Sequence, residues 1–421
     1  MKEFDVIIAG GGIVGATTAL ALSKITHQRK YLNIALVEAV EVDSNASPSF
    51  DERAVALSAS SVAIYKSLNL WAELEALAEP ISDIHISEQN HFGFTRLSAK
   101  DHHVNVLGQV IPLSETGPIL WRSIQAQENI TSFCPNVITS VDSLDDQLKN
   151  EKIIVELKQS KDPENNSKQI ISAKLLIASD GTFSNLAKMA KIKTERASYN
   201  QQAIIANIST QKPHQNKAYE RFTKEGPIAL LPLSRNRMSL VWCQNEAQSE
   251  ATLKLSDVDF ILSLQKSFGF RLGKITRVGE RSSYPLSLHL PQKNHNGRTL
   301  LLGNSAHTLH PIAGQGFNLG LRDIAALVDA VRESLKLDKK TDIGTDIFLE
   351  EYQVQREPDW QQTIGATDSL VRLFSNEFVG LNSARSKGLW LIDKVPFIKN
   401  KIANAAMGFN GESARLTRGL K

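Results

Sequence analysis

The sequence predicts an α/β fold: a largely parallel sheet assembled from separated stretches of chain, an inserted domain of mostly antiparallel strands, and a helical C-terminus. Three observations predict it. An apolar strand at the N-terminus runs into a glycine turn and a helix. A second strand, glycine-rich segment and helix of the same style occupy residues 298–335. Between them lie short strands broken by Gly and Pro.

Val6-Ile7-Ile8-Ala9 is continuously apolar, as a strand covered on both faces is. Gly10, Gly12 and Gly15 follow in a G-x-G-x-x-G turn, then helical spacing over 13–23, then Asn33-Ile34-Ala35-Leu36-Val37-Glu38, a second strand ending in an acid. Gly10 makes the tight turn, Gly12 lets backbone approach a pyrophosphate, and Gly15 lets helix and strand pack closely, so phosphates meet free N–H groups at the positive end of the helix. Glu38 stands where an adenosine ribose would donate to it. Strand, turn, helix and acid in register read as a Rossmann-like βαβ unit, without deciding between NAD and FAD.

Further along, 53–70 reads as a helix and 81–97 as alternating strands of another sheet. Residues 120–127 read as helix, and 152–157 with 170–177 as a hairpin around a polar loop at 158–167. Strands are expected at 203–208, 218–222, 228–233 and 238–242, with one helix at 256–268; this sheet would wall a substrate cavity. The expected division is a discontinuous cofactor domain (1–78, 106–185, 285–340), a substrate domain (79–105, 186–284) and a helical region (341–421).

The chain has 421 residues, with 48 Lys+Arg against 45 Asp+Glu. Such balance argues against nucleic acid as the main partner. Cys134 and Cys243, with no CxxC, read as buried thiols of a reducing compartment rather than a disulfide or metal framework. The N-terminus enters a strand without a basic leader, and no apolar run approaches the ~20 residues of a membrane span. The expected location is the cytoplasm, with peripheral membrane contact open.

The second glycine segment decides the cofactor. Gly303-Asn304 ends a buried-type strand, and Pro311, Gly314, Gln315, Gly316 and Asn318 precede a helix expected from about 317 to 335. Such glycine density lets backbone N–H groups press against a flat ligand, and the helix dipole would stabilise the negative charge that gathers at the N1–C2=O edge of a reduced flavin. An NAD dehydrogenase has no use for this second platform, so the reading shifts to FAD. Asp180-Gly181, at the end of the apolar run Leu175-Leu176-Ile177-Ala178, adds a third element between the two.

On these motifs the chain resembles the single-component flavin aromatic hydroxylases of the p-hydroxybenzoate hydroxylase fold, over essentially its whole length. Within them it is similar to the ubiquinone-biosynthesis branch, nearest the members acting on 2-polyprenyl-6-methoxyphenol. The strings that carry this are Phe50-Asp51-Glu52-Arg53, Glu220-Arg221-Phe222, Ala366-Thr367-Asp368 and above all the run from His310 to Asp323. The resemblance implies non-covalent FAD, with Glu38 on the ribose, Arg53 near the pyrophosphate, Asp180-Gly181 on the cofactor and its reductant, and Gly314 to Asn318 behind the ring. Where many relatives have Gly-Asp for the ribityl chain, this sequence has Gly303-Asn304, whose amide can still bond a hydroxyl.

The same resemblance implies a flavin monooxygenase that takes electrons from NAD(P)H or another donor and transfers one atom of O2 to an electron-rich polyprenyl phenol. Attack at another ring carbon, or a non-catalytic FAD scaffold among other ubiquinone-biosynthesis proteins, are the alternatives; a homo-oligomer is open. No general base is legible. His307 and His310 form an HxxH without a third ligand and read as structural, with His310 capping the flavin loop, not as a metal site. Residues 385–421 carry eight Lys or Arg against Asp393 and Glu412, interleaved with apolar residues, a pattern that fits an anionic lipid surface.

Overall fold

The computed structural model describes residues 1–41, 53–142, 151–160, 168–336, 342–375, 393–409 and 414–420. The first strand, Lys2–Ala9, lies parallel to Ile34–Val37 on one side and Gln169–Ala178 on the other, and Ile130–Phe133 extends the sheet beyond Ile34–Val37. Val6, Ile7 and Ile8 are wholly buried, as the continuous apolar run requires.

The ten-residue strand Gln169–Ala178 has two partners along its other edge. Its first half pairs antiparallel with Ile153–Gln159, which continues to Asn136–Asp142; its second half pairs parallel with Thr299–Leu301. The helix Ile13–Leu22 covers one face of this sheet, together with the helices Ala59–Ser67, Leu113–Gln125 and Gln315–Lys336. The expected hairpin is present, and most of its loop lies outside the described residues.

A second sheet contains Thr194–Thr210, Lys217–Phe222, Pro227–Leu233 and Arg237–Asn245, flanked by Asp83–Glu88, Phe94–Ser98, Ile275–Val278 and Ser282–Pro291. All these pairs are antiparallel except Lys217–Phe222 with Asp83–Glu88. The helix Asp257–Phe268 packs Phe260, Leu264 and Phe268 against its outer face, and Ser256 caps that helix through the Asp259 N–H.

Two expectations fail here. Residues 53–70 are not one helix: Ala54–Ser58 is a strand, paired with Gly108–Pro112 in a small three-stranded sheet, and only Ala59–Ser67 is helical. Ala and Leu suit either state, and a strand partner distant in sequence decides. Ser58 marks the switch, its hydroxyl accepting from the Ser61 N–H. The other failure is Cys134, which is only partly buried; Cys243 is buried, and neither forms a disulfide. A helix that the sequence pattern hid, Glu246–Leu253, is capped by Asn245. No helix among the described residues is long and apolar enough to cross a membrane.

Candidate functional site

The first glycine turn has the shape its spacing implies. A Cβ on Gly10, at φ +99°, would stand 2.4 Å from the Ser179 carbonyl oxygen, and one on Gly15 would stand 1.9 Å from the Gly10 oxygen. A Cβ on Gly12 would meet nothing within 4 Å. The turn is therefore closed where helix and strands meet and open where a phosphate would sit. Gly12 caps the helix Ile13–Leu22 without a side-chain bond, leaving the first N–H groups to whatever fills that opening.

Glu38 is buried, and its carboxylate is already engaged: Oε2 accepts from the Gly11 N–H at 2.5 Å and Oε1 from the Val40 N–H at 2.8 Å. Each oxygen keeps a second lone pair for a ribose hydroxyl. Trp121, arriving on Leu113–Gln125, donates its indole N–H to the Gly11 carbonyl at 3.0 Å and walls the same turn. Sequence spacing gave no sign of it.

Ser179 locks the Asp180-Gly181 element to the first turn, its one hydroxyl hydrogen shared between the Ala9 and Gly10 oxygens at 2.9 and 3.0 Å. The Asp180 carboxylate turns toward the Asn185 N–H (3.0 Å) and the Ser305 hydroxyl (3.1 Å), while the Gly181 N–H donates to Ser305 Oγ at 3.0 Å. Gly181, at φ +92°, faces open space. A cleft of about 200 Å³ beside it is lined by Thr182, Lys188, Arg196 and Ser305. The Arg53 guanidinium lies 5.6 Å from the centre of the Tyr284 ring; Phe50, Asp51 and Glu52 of the same string lie outside the described residues.

The second glycine segment closes on the first. Gly303, at φ +63°, abuts Val14 so tightly that a Cβ would come within 2.9 Å of Val14 Cγ1, and Gly320 would bring one to 3.3 Å of the Gly303 Cα. Asn304 is exposed and bonds Thr308 Oγ1 through its main-chain oxygen; among the described residues its side-chain amide has no partner. Pro311 opens a single 3₁₀ turn, Ile312–Gly314, and the helix begins at Gln315, two residues earlier than the spacing suggests.

Asn318 does something the sequence did not reveal. Its Oδ1 accepts from the Ser58 N–H (2.8 Å) and Ser61 hydroxyl (2.7 Å), and its Nδ2 donates to the Ala56 (2.8 Å) and Gly314 (2.9 Å) carbonyls. The Ala56 C=O and Ser58 N–H project from the same side of the strand Ala54–Ser58, so one buried amide supplies the pair of bonds a neighbouring strand would have made. It ties the loop down and has no hydrogen-bonding capacity left for a ligand.

His310 caps the loop from within. Its Nδ1 accepts from the Ile312 N–H at 3.2 Å, which leaves Nε2 to donate to Gln201 Oε1, also at 3.2 Å. Burial holds it neutral, with its pKa pushed down to about 4. His307 is lowered to about 4 as well, chiefly by burial, and its ring lies 4.7 Å from that of Trp360. The Trp360 indole and Arg356 Nε both donate to Asp323 Oδ1, at 2.8 and 2.7 Å; Arg356 and Arg322 converge on Asp359. This buried network binds the helix Gln315–Lys336 to Asp346–Ser375.

The sequence profile of the FAD binding domain family matches residues 3–366. The chain belongs to that family. FAD is its cofactor, and the open turn at Gly12 and the unobstructed backbone at Gly181 leave room for such a dinucleotide. The chain is 29% identical over 430 residues to ubiquinone hydroxylase UbiL of Rhodospirillum rubrum, covering all of this chain and 94% of that protein. It is 27% identical to the 3-demethoxyubiquinol 3-hydroxylase of Escherichia coli, over 96% of this chain and 98% of the other. Among solved structures, p-nitrophenol 4-monooxygenase PnpA from Pseudomonas putida superposes with a TM-score of 0.77 at 17% identity, covering 98% of this chain and all of that one. That likeness establishes a shared fold.

Proposed function

We propose that this chain is an FAD-dependent monooxygenase that hydroxylates the aromatic ring of a polyprenylated phenol in ubiquinone biosynthesis, converting 2-polyprenyl-6-methoxyphenol to the 1,4-benzoquinol. The observation that carries this reading is the pairing of two backbone platforms, the turn at Gly10, Gly12 and Gly15 and the loop at Pro311, Gly314, Gln315 and Gly316, the second facing an apolar antiparallel sheet. The similarity to ubiquinone hydroxylases along the whole chain supports it.

On this reading Gly12 and the N–H groups after it receive the pyrophosphate, Glu38 the ribose, and Gly303-Asn304 the ribityl chain. The backbone of the Gly314 to Gly316 loop would lie against the ring, and Asn318 positions that loop. Bound FAD, once reduced by NAD(P)H or another donor, supplies the activation of O2. The protein's own task would be to hold the phenol against the ring and exclude water, and the apolar cluster of Phe222, Ile312 and Val371 beside the loop supports assigning that role to it. Lys188 and Arg196 put two cations in the cleft beside Gly181 for an anionic reductant.

Residues 1–78, 106–185 and 285–340 would then carry the cofactor and 79–105 with 186–284 the substrate. Peripheral membrane contact belongs to the same proposal: Phe397 is 78% exposed on the helix Pro396–Ala406, although Lys399 of that helix is paired with Asp101. Residues 385–392, 410–413 and 421 of the basic tail lie outside the described residues.

Oxygen uptake by purified protein with NAD(P)H and a short-chain 2-alkyl-6-methoxyphenol tests the activity, and mass spectrometry of the quinone precursor that accumulates without the protein tests the ring position. No substrate-dependent uptake would point to the FAD scaffold instead. Flotation with anionic liposomes that is unchanged by removing 385–421 would overturn the membrane contact.

A further inference from the structure

The strand Lys217–Phe222 runs through the interior of the second sheet, with Glu220 opposite Ile86 on one side and Ala229 on the other. Its side chains alternate between two faces. Tyr219 and Arg221 point outward to the helix Asp257–Phe268: the Tyr219 ring lies 5.5 Å from that of Phe268, and Arg221 Nε donates to the Ser267 carbonyl at 3.1 Å. Ala218, Glu220 and Phe222 therefore point the other way.

What they face follows from the two neighbours. Ala218 packs in the cluster that includes Ala54, Ala56 and Val110, and Phe222 packs on Ile312, Ile86 and Val371. A Cβ on Gly314 would lie 3.7 Å from Ala56 Cβ. Glu220, between Ala218 and Phe222, thus looks at the ground in front of the Gly314 loop.

An acid in this apolar wall is anomalous. Glu220 Oε1 is sealed from solvent and has no hydrogen-bond partner among the described residues, although the residue as a whole is only partly buried. Burial pushes the carboxyl up to about 8, so it is mainly neutral at physiological pH. The Cys243 thiol, raised first by burial and then by Glu220, adds no compensating cation. Buried polar groups are ordinarily paired, and an orphan aimed into a site points to a ligand that completes it.

We propose that Glu220 is the polar anchor for the substrate, exchanging hydrogen bonds with the hydroxyl of a neutral phenol held in front of the Gly314 loop. A neutral carboxyl offers one donor and remaining acceptor capacity, and a phenol hydroxyl offers the same. An anionic ring such as a benzoate fits poorly, because its charge would be set beside the Glu220 carboxyl in an apolar wall. The inference rests on the hydroxylase reading and adds a selectivity to it.

The test compares binding of a short-chain 2-alkyl-6-methoxyphenol with that of its methyl ether, which has the same shape but no donor, by flavin absorbance titration of the FAD-loaded protein. Wild type should prefer the phenol by about tenfold or more. Glu220→Leu should bring the two ligands to within about threefold, while Glu220→Gln, which keeps a donor and an acceptor, should retain the preference. Wild type and Glu220→Leu should also retain comparable FAD and thermal stability, since an apolar residue of similar size replaces an orphaned acid. A full tenfold preference in FAD-loaded Glu220→Leu overturns the anchor, as does a wild type that binds both rings equally. A wild type that holds FAD and binds neither ring overturns the hydroxylase reading itself, and the anchor with it.

Discussion

Replacing Asn318 with Leu keeps the side chain's bulk and removes all four of its hydrogen bonds. The Ser61 hydroxyl still has Ser58 Oγ at 3.0 Å, and Gly314 is partly exposed, so those two groups recover partners. The Ala56 carbonyl, on a partly exposed residue, can likewise turn to solvent, whereas the buried Ser58 N–H cannot, because it sits on the strand edge that Asn318 covers. One orphaned buried group at about 1–3 kcal/mol gives a loss of about 2 kcal/mol. Urea denaturation followed by circular dichroism measures it, and release of FAD fluorescence in the same titration should come at lower urea than in wild type. Asn318→Leu that stays within about 1 kcal/mol of wild type, with an unchanged flavin spectrum, would refute the view that this amide closes the strand and seats the loop.

The two ends of the first glycine turn should behave oppositely on substitution. Gly12→Val, in open space, should give a folded but colourless protein, whereas Gly15→Ala, whose Cβ would strike the Gly10 oxygen at 1.9 Å, should cost about 3 kcal/mol or more; absorbance at 450 nm against unfolding separates them. Removing Arg356 as Leu leaves the buried Asp323 and Asp359 short of a cation, with an expected loss of about 3–5 kcal/mol in urea. Burial raises Asp359, but Arg322 and Arg356 outweigh it and hold the carboxyl at about 2, so this group's stabilisation is present above the unfolded value near 4 and is lost as pH falls toward 2. His307 and His310, lowered to about 4, act at higher pH: native protein binds fewer protons, so stability falls as pH drops from about 6.5 toward 4, by up to roughly 1.4 kcal/mol per pH unit for each histidine. Urea midpoints at pH 7 and pH 5 should show that slope, and His310→Gln should reduce it.

The sequence was legible where local rules and tertiary structure agree. Gly10, Gly12 and Gly15 are read by spacing because each meets a distinct steric demand, and the strands of the second sheet by their alternation. Residues 54–58 were not, because Gly108–Pro112 imposes a strand on a segment that local propensity leaves undecided. Asn318 was legible as part of a loop and illegible as a substitute for a missing strand, since its partners Ala56 and Ser58 lie about 260 positions away. Glu220 stood within a recognisable string, but its solitude depends on which face of the strand it occupies, and only the pairing of Tyr219 with Phe268 fixes that.

The divided edge of Gln169–Ala178 has a consequence for how the chain is made. Ile153–Gln159 can take its half of that edge as soon as the hairpin leaves the ribosome, whereas Thr299–Leu301 arrives only after the whole second sheet has been synthesised. Until then Leu176, Ile177 and Ala178 offer an unpaired, apolar ribbon beside a finished nucleotide turn, an edge open to the wrong partner. On the proposed site, FAD would engage its adenylate end early, while its ring would have no seat until the loop after Thr299–Leu301 is in place. On that reading, assembly of the holoprotein should wait on this long-range pairing, and free cofactor present during synthesis should act as a clamp on the half-built sheet.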